Sequence, residues 1–376
     1  MNSCKNENQI MNKNISIIGI GKLGICLALN LEKNGYNVIG IDLNQQYVDS
    51  INNKNLISDE PFVEEYLKNS NNLIATTDIS KSLDNDIIFI TVATPSLPSG
   101  KYDHKQIDDV INKLLKYGKQ LTKKYLIINC TTMPKYCESL QEKMKEYNYE
   151  ICYNPEFIAQ GTIIKNQQYP DIVLIGSNTD DIVNVVENIY KDICKNNPSV
   201  HKLSITESEI MKIALNCFLT TKISYANMVG DIATAIGCNP EKILSAIGSD
   251  SRIGNKYLKY GYGFGGPCFP RDNRAFGLFC EENGIYPHIS YATDQSNKSH
   301  LLYQLRHTEN KISKDETIIF DSITYKAEST ILEESQQLKY AFELTERGYS
   351  VHINERLQII NKLKELYGNR FTYSIK

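Results

Sequence analysis

The chain predicts an α/β protein: a Rossmann-like, doubly wound parallel sheet at the N-terminus, a long central helix within a helical region, and a smaller, shortened α/β domain at the C-terminus. Three observations carry this. Apolar runs of strand length alternate with amphipathic stretches from Asn14 to about residue 203. A proline-free stretch with helical spacing of apolar residues then runs from Glu207 to Ile236. Strand–helix–strand patterning returns between Ile318 and Ile353. Alternation of the first kind buries parallel strands under helices on both faces.

In order along the chain, residues 14–19 form an apolar run ending in Gly19, the amphipathic stretch Leu23–Asn34 stops at Gly35, and a second run, Val38–Ile41, ends at Asp42. That is the spacing of a βαβ unit. Further strands are predicted at Ile87–Val92, Leu126–Cys130, Glu150–Tyr153 and Ile172–Ile175, with helices at Gln106–Leu121, Lys135–Tyr147 and Asp180–Cys194. The first domain is thus expected over 1–203. In the central stretch Ile210, Ile213, Ala214, Cys217, Phe218, Ile223 and Ala226 recur at helical spacing, over a length far beyond the ~11–12 residues of a mean helix. Asn239-Pro240 ends it, and further helices are expected in a central region of 204–300. The helix has more apolar positions than one covering layer needs, which predicts a homodimer formed through it. The last domain, 301–376, is expected to hold strands Ile318–Phe320 and Tyr349–Ile353 around a helix from about Glu334 to Arg347.

Bulk properties exclude several classes of partner. A length of 376 residues allows two or three cores. A net charge of −3 and a pI near 6.1 give no general attraction to nucleic acid or anionic membrane, so neither is expected as a partner. No run approaches a membrane span, and Met1–Lys13 is polar rather than a signal peptide. The ten cysteines, from Cys4 to Cys280, include no C-x-x-C pair. Neither a metal site nor a disulfide framework is expected, and a reducing, cytoplasmic setting fits best.

Gly19-x-Gly21-x-x-Gly24 follows a predicted strand and opens a helix, and Asp42 stands at the end of the next strand. In that context the glycines admit a pyrophosphate onto a helix N-terminus, with Lys22 and Leu23 in the same turn. Asp42 would hold the adenosine ribose and repel a 2′-phosphate, so NAD is the expected cofactor. Three polar clusters follow later strands: Thr94-Pro95, Thr131-Thr132 and Asn154-Pro155-Glu156. Each alone also fits ordinary turn chemistry; in successive β-to-α positions they point to one ligand crevice. Lys212 and Asn216, four residues apart, share a helix face. Lys212 by itself also fits a snorkelling side chain; near a substrate its ammonium would stabilise an oxyanion, Asn216 would add a donor, and the charge would favour a thiolate. That thiolate would be Cys268. It stands in Gly261-Tyr-Gly-Phe-Gly-Gly-Pro-Cys-Phe-Pro270, a loop with no evident packing use for so much backbone freedom, directly ahead of Arg271 and Asp272. A positioned thiol beside an acid–base group suggests covalent catalysis.

The chain resembles the nucleotide-sugar (UDP-glucose/GDP-mannose) dehydrogenase family over nearly its whole length, its UDP-glucose branch most of all. The carriers are Gly19-Ile-Gly-Lys-Leu-Gly24, Thr94-Pro95 with Gly100 and Asp103, Asn154-Pro-Glu-Phe157 with Gly161, Lys212-x-x-x-Asn216, and Arg252-Ile-Gly254 leading into Phe264-Gly-Gly-Pro-Cys268-Phe-Pro-Arg-Asp272. The resemblance implies a double oxidation of a primary alcohol to a carboxylate with NAD, UDP-glucose being the favoured substrate and another nucleotide hexose the alternative. It implies catalytic roles for Cys268, Lys212, Asn216, Asp272, Glu156 and Thr132. It implies cofactor contacts from the glycine turn, Asp42, Thr94, Pro95, Thr131 and Arg271. Substrate contacts are implied for Phe157, Gln160, Arg252, Lys259, Tyr260, Phe264, Gly265 and Lys326. Gln160 stands where that branch usually has a second glutamate, Arg271 where the family has lysine, and Glu333 where it has an arginine near the cofactor. The chain is also shorter at its C-terminus than the family pattern. Two further readings use the same residues: a dehydrogenase without a covalent step, which needs neither Cys268 nor Glu156, and a protein that binds NAD or a nucleotide sugar without turnover.

Overall fold

Eight strands build the sheet of the N-terminal half in a computed structural model that describes residues 13–158, 160–326 and 329–376. They are β1 (Asn14–Ile18), β2 (Asn37–Ile41), β3 (Leu73–Thr76), β4 (Ile87–Ile90), β5 (Lys124–Ile128), β6 (Tyr149–Tyr153), β7 (Ile172–Gly176) and β8 (Ser199–Leu203). Their order is β3-β2-β1-β4-β5-β6-β7-β8, the doubly wound arrangement. The central strands β1, β4, β5 and β6 are largely apolar because both faces are covered. Ile15, Ile17, Ile87, Phe89 and Ile127 face one core, and Ile18, Ile88, Ile90, Leu126 and Ile128 face the other.

The expectation of an all-parallel sheet is corrected at one junction. β6 and β7 are antiparallel and meet through the single pair Tyr153↔Gly176. The one helix between them, Ile163–Gln168, has six residues. It rises roughly 9 Å, too short to run back along a strand of about 17 Å and restart it in parallel. The helix predicted to reach Leu121 ends at Leu115. Gly118, at φ +73°, donates its N–H to the Leu115 carbonyl and closes that helix end, a conformation favoured by glycine. Two helices (Gln45–Asn52 and Val63–Lys68) and the edge strands β3 and β8 have no counterpart in the sequence reading. Both strands lie at the sheet's margins, and β8 is exposed or half-exposed along its length, so neither carries an apolar alternation.

The described chain divides into two compact units. One runs to Leu97 and resumes over Tyr102–Lys212; the other holds Pro98–Lys101 and Ile213–Lys376. The long helix expected over Glu207–Ile236 spans Ile205–Ala235, so its first turns belong to the first unit and the rest to the second. In the second unit Asn239 caps helix Pro240–Gly248 by accepting the Lys242 N–H at 3.2 Å. Helices Phe269–Glu282 and His288–Glu309 follow. A parallel three-stranded sheet, β11-β10-β9, completes the unit with β9 (Thr317–Phe320), β10 (Ser350–Glu355) and β11 (Thr372–Ile375). Helix Gln336–Glu346 lies between β9 and β10 in sequence, and helix Leu357–Tyr367 precedes β11. The last helix and strand were not read from the sequence, though Ile359, Ile360 and Leu363 are spaced to bury one helical face. Cys4 lies outside the described residues. Among those described, no helix is long and apolar enough to cross a membrane.

Candidate active site

The glycine turn of the first unit is built for a close ligand. Gly19 has φ +91°, and a Cβ there would lie 2.8 Å from Val92 Cγ1. A Cβ on Gly24 would lie 2.4 Å from the Gly19 carbonyl oxygen, so helix Lys22–Lys33 sits against the turn only because both residues lack side chains. At Gly21, by contrast, a Cβ would meet nothing within 4 Å, and no side chain caps the helix. Open space at an uncapped helix N-terminus fits a pyrophosphate. Leu23 packs partly into the core, and Lys22 lies 3.5 Å from the buried Glu60 carboxylate. Asp42 follows β2, and its Oδ1 accepts the Asn44 N–H at 3.0 Å. These residues fit an adenine dinucleotide with free ribose hydroxyls.

Beyond β4 and β5, Thr94 is buried and donates its hydroxyl to the Thr131 carbonyl at 2.8 Å, while Pro95 is exposed. Thr132 is fully buried, and its hydroxyl donates to Glu209 at 2.8 Å. Glu209 was missed by the sequence reading. Its carboxylate also accepts the N–H groups of Lys135 (2.7 Å) and Cys137 (2.8 Å), at the start of helix Tyr136–Met144. A carboxylate there answers the unpaired N–H groups of the first turn of helix Tyr136–Met144. Burial still pushes its carboxyl above the ordinary range, against those hydrogen bonds.

Glu156, one residue past Asn154-Pro155 at the end of β6, is half-buried. Its carboxyl is pushed up to about 7 by desolvation, opposed by hydrogen bonding from Gln167, the Lys212 charge and Asn129. Lys212 is 7% exposed; its Nζ donates to the Glu156 carbonyl oxygen at 2.7 Å and lies 4.4 Å from the Phe157 ring centroid. The lysine therefore folds back over the Glu156 segment rather than snorkelling to water. Gln160 is half-buried and precedes Gly161, whose N–H donates to Glu60 at 2.5 Å; Ile163 N–H donates to the other Glu60 oxygen at 3.2 Å. Glu60, a second residue missed by the sequence reading, thus holds the loop that carries Phe157 and Gln160.

In the second unit Cys268 is exposed and forms the N-cap of helix Phe269–Glu282, where an anion is favoured. Asp272, one turn on, is fully buried. It accepts Asn216 Nδ2 at 2.6 Å and Arg271 Nε at 3.1 Å. Arg271 is thereby engaged by its neighbour through Nε.

The glycine loop has a packing use, contrary to the sequence reading. A Cβ on Gly263 would lie 2.2 Å from Asn297 Oδ1, one on Gly265 2.3 Å from the Glu334 carbonyl oxygen, and one on Gly266 (φ +78°) 2.5 Å from the Tyr325 ring. Phe264 is buried, and Asn297 pairs with both its N–H and its carbonyl. Tyr260 packs against Gly230 of the long helix and donates to Asp231 at 3.0 Å. The same carboxylate meets His300 Nδ1 at 2.9 Å. Phe264 and Tyr260 therefore shape the loop from within. Arg252 is gripped by both oxygens of Asp250 in an exposed turn, and Lys259 and Lys326 are exposed. Glu333 is exposed as well.

Comparison with known proteins follows the same lines. A profile of the NAD-binding domain of the UDP-glucose/GDP-mannose dehydrogenase family matches residues 13–194, and one of that family's central domain matches 206–299. Over 370 residues the chain is 30% identical to UDP-glucose 6-dehydrogenase of Rickettsia felis, covering 96% of this chain and 82% of the relative. It is 31% identical over 295 residues to UDP-glucose 6-dehydrogenase AglM of Haloferax volcanii, covering 74% and 68%. A solved UDP-glucose dehydrogenase from Pyrobaculum islandicum superposes with a TM-score of 0.86 at 26% identity, over 96% of this chain and 85% of that one.

Proposed function

Because the chain belongs to the UDP-glucose/GDP-mannose dehydrogenase family and is an NAD-dependent nucleotide-sugar dehydrogenase, we propose that it converts UDP-glucose to UDP-glucuronate by two successive oxidations at C6, with Cys268 as the covalent nucleophile. The observation that carries this reading is the exposed thiol at a helix N-terminus with Asp272 buried one turn behind it and fixed by Asn216. NAD, when bound at the glycine turn, accepts the hydride in each oxidation.

The chain's own residues supply the rest. Lys212 and Asp272 remove the C6 hydroxyl proton, directly or through a water, as the first hydride leaves. The Cys268 thiolate adds to the aldehyde, giving a thiohemiacetal that keeps it bound. Loss of the second hydride leaves a thioester, and Lys212 and Asn216 stabilise the negative oxygen at each tetrahedral stage. Water then attacks the thioester, with Glu156 as base; a carboxyl near 7 is poised for that at neutral pH. Thr132, Phe157, Gln160, Tyr260, Phe264 and Gly265 shape the site, and Arg252, Lys259 and Lys326 supply cationic groups for the sugar nucleotide. Because the thiol must stay reduced, the reading places the protein in the cytoplasm.

The test is NADH formed per UDP-glucose consumed by the purified protein. Two per sugar is expected. Turnover of another nucleotide hexose with none on UDP-glucose would move the substrate, and tight binding without NADH would favour a non-catalytic role.

The reading also includes a homodimer. The long helix leaves Phe218 (64%), Tyr225 (48%), Met228 (55%) and Ile232 (58%) exposed at intervals of seven, three and four residues. One face of a helix carries such a stripe, and a second copy would cover it. Sedimentation at micromolar concentration is expected to give twice the chain mass; a single-chain species would remove the dimer.

A further inference from the structure

Within the first unit, four side-chain hydrogen bonds run in one direction from the surface to Glu156. Lys195 Nζ donates to Gln168 Oε1 at 2.9 Å. Gln168 Nε2 donates to Asn30 Oδ1 at 2.8 Å, and Asn30 Nδ2 donates to Gln167 Oε1, also at 2.8 Å. Gln167 Nε2 then donates to Glu156 Oε1 at 3.3 Å. Asn30, Gln167 and Gln168 are all buried, at 0%, 1% and 6% exposure.

The direction of the chain is set by its fixed members. An ammonium can only donate, so Gln168 must turn its oxygen toward Lys195 and its NH₂ inward. A backbone carbonyl can only accept, and the Asn30 NH₂ also faces the Ile164 carbonyl at 3.4 Å. Both constraints leave Gln167 with its oxygen toward Asn30 and its NH₂ toward the carboxylate. In the reverse orientation Gln167 would present its oxygen to Glu156; an ionised carboxylate repels that oxygen, whereas a protonated carboxyl donates its O–H to it. The amide orientation therefore selects the ionised form.

We propose that Gln167 is a positioning residue for the reaction, and that Lys195, Gln168 and Asn30 form a polar relay that locks its amide toward Glu156 and so holds that carboxylate ionised and aimed. The proposal deepens the reading above by giving its hydrolytic base an orienting network. Of the influences opposing desolvation at Glu156, the Gln167 hydrogen bond is the largest. The charged and titratable groups around the carboxyl are Lys212, Cys26, Tyr190 and Cys194, with Asn129 as a neutral donor; Tyr66 and Lys195 hydrogen-bond to Gln168, and Lys33 lies over the Tyr66 ring.

Infrared difference spectra of the ligand-free protein across a pH titration test this without reference to turnover. The protonated carboxyl band that disappears in Glu156→Gln identifies the group. In Gln167→Leu its midpoint is expected to rise by roughly one pH unit, the scale of one hydrogen bond to a charged group. Lys195→Met, at the exposed end and harmless to the core, is expected to move it the same way by less, and Lys195→Arg to leave it in place. The acid limb of steady-state turnover should follow the same order, with the NADH yield per sugar unchanged. Midpoints in Gln167→Leu and Lys195→Met equal to that of the unmodified protein would overturn the proposal. A shift in Gln167→Leu with none in Lys195→Met would overturn the relay. If instead the midpoints shift but the protein makes no NADH, the relay stands and the catalytic reading fails.

Discussion

Cys268→Ser is expected to end net formation of the acid. The first hydride can leave C6 before any covalent bond forms, so the alcohol-to-aldehyde step survives in the variant. The serine hydroxyl is a far weaker nucleophile than the thiolate it replaces. The aldehyde is then not captured, and NADH per sugar falls from two to one or less. The rate of acid formation should drop by about 10³-fold or more, the scale seen when one member of a unit of cooperating catalytic groups is lost. Because Cys268 is exposed and the replacement is close in size, thermal unfolding should barely change. That separates chemical loss from misfolding. Two NADH per sugar at a near-normal rate would instead select a dehydrogenase without a covalent step.

The parts of this molecule legible in its sequence are those whose chemistry is local. The glycine turn is one: Gly19, Gly21 and Gly24 are needed within six residues, and the turn, the open approach and the tight helix contact each have an owner. The strands β1, β4, β5 and β6 are another, since burial on both faces leaves continuous apolar runs. What could not be read was carried by distance. Asn30 meets Gln167 from 137 residues away, and Glu60 meets Gly161 from 101. No pattern in either segment announces its partner. Glu209 left a weak signal, a carboxylate four residues from both Ile205 and Ile213 on a helix face that otherwise goes inward, and the structure explains it as the group answering the start of helix Tyr136–Met144. The glycine loop misled in a different way. Its backbone freedom was attributed to a ligand, but Gly263, Gly265 and Gly266 are needed because Asn297, Glu334 and Tyr325 press against them. A glycine reports close approach without reporting what approaches.

Glu156→Gln should fail at a different step, and the contrast with Cys268→Ser tests the order of events. Glu156 is assigned to the water attack alone, so both hydride transfers remain possible without it. On mixing with excess NAD and UDP-glucose, the variant should release a burst of two NADH per active site and then stall as the thioester. Steady turnover should fall by about 10²–10⁴-fold, the range of a lost general base. The stalled adduct should be discharged by hydroxylamine and absent from a Cys268→Ser/Glu156→Gln double variant. The pH profile gives the second half of the test. In the unmodified protein desolvation raises the carboxyl to about 7, so the base is protonated below that pH and free above it. Where hydrolysis limits the rate, turnover should therefore rise with pH through about 7 and level off. In Glu156→Gln that acid limb should vanish with the plateau, because the amide does not titrate. A variant that keeps both the steady rate and the acid limb would show that another group activates the water, and the raised carboxyl at the end of β6 would then have no part in hydrolysis.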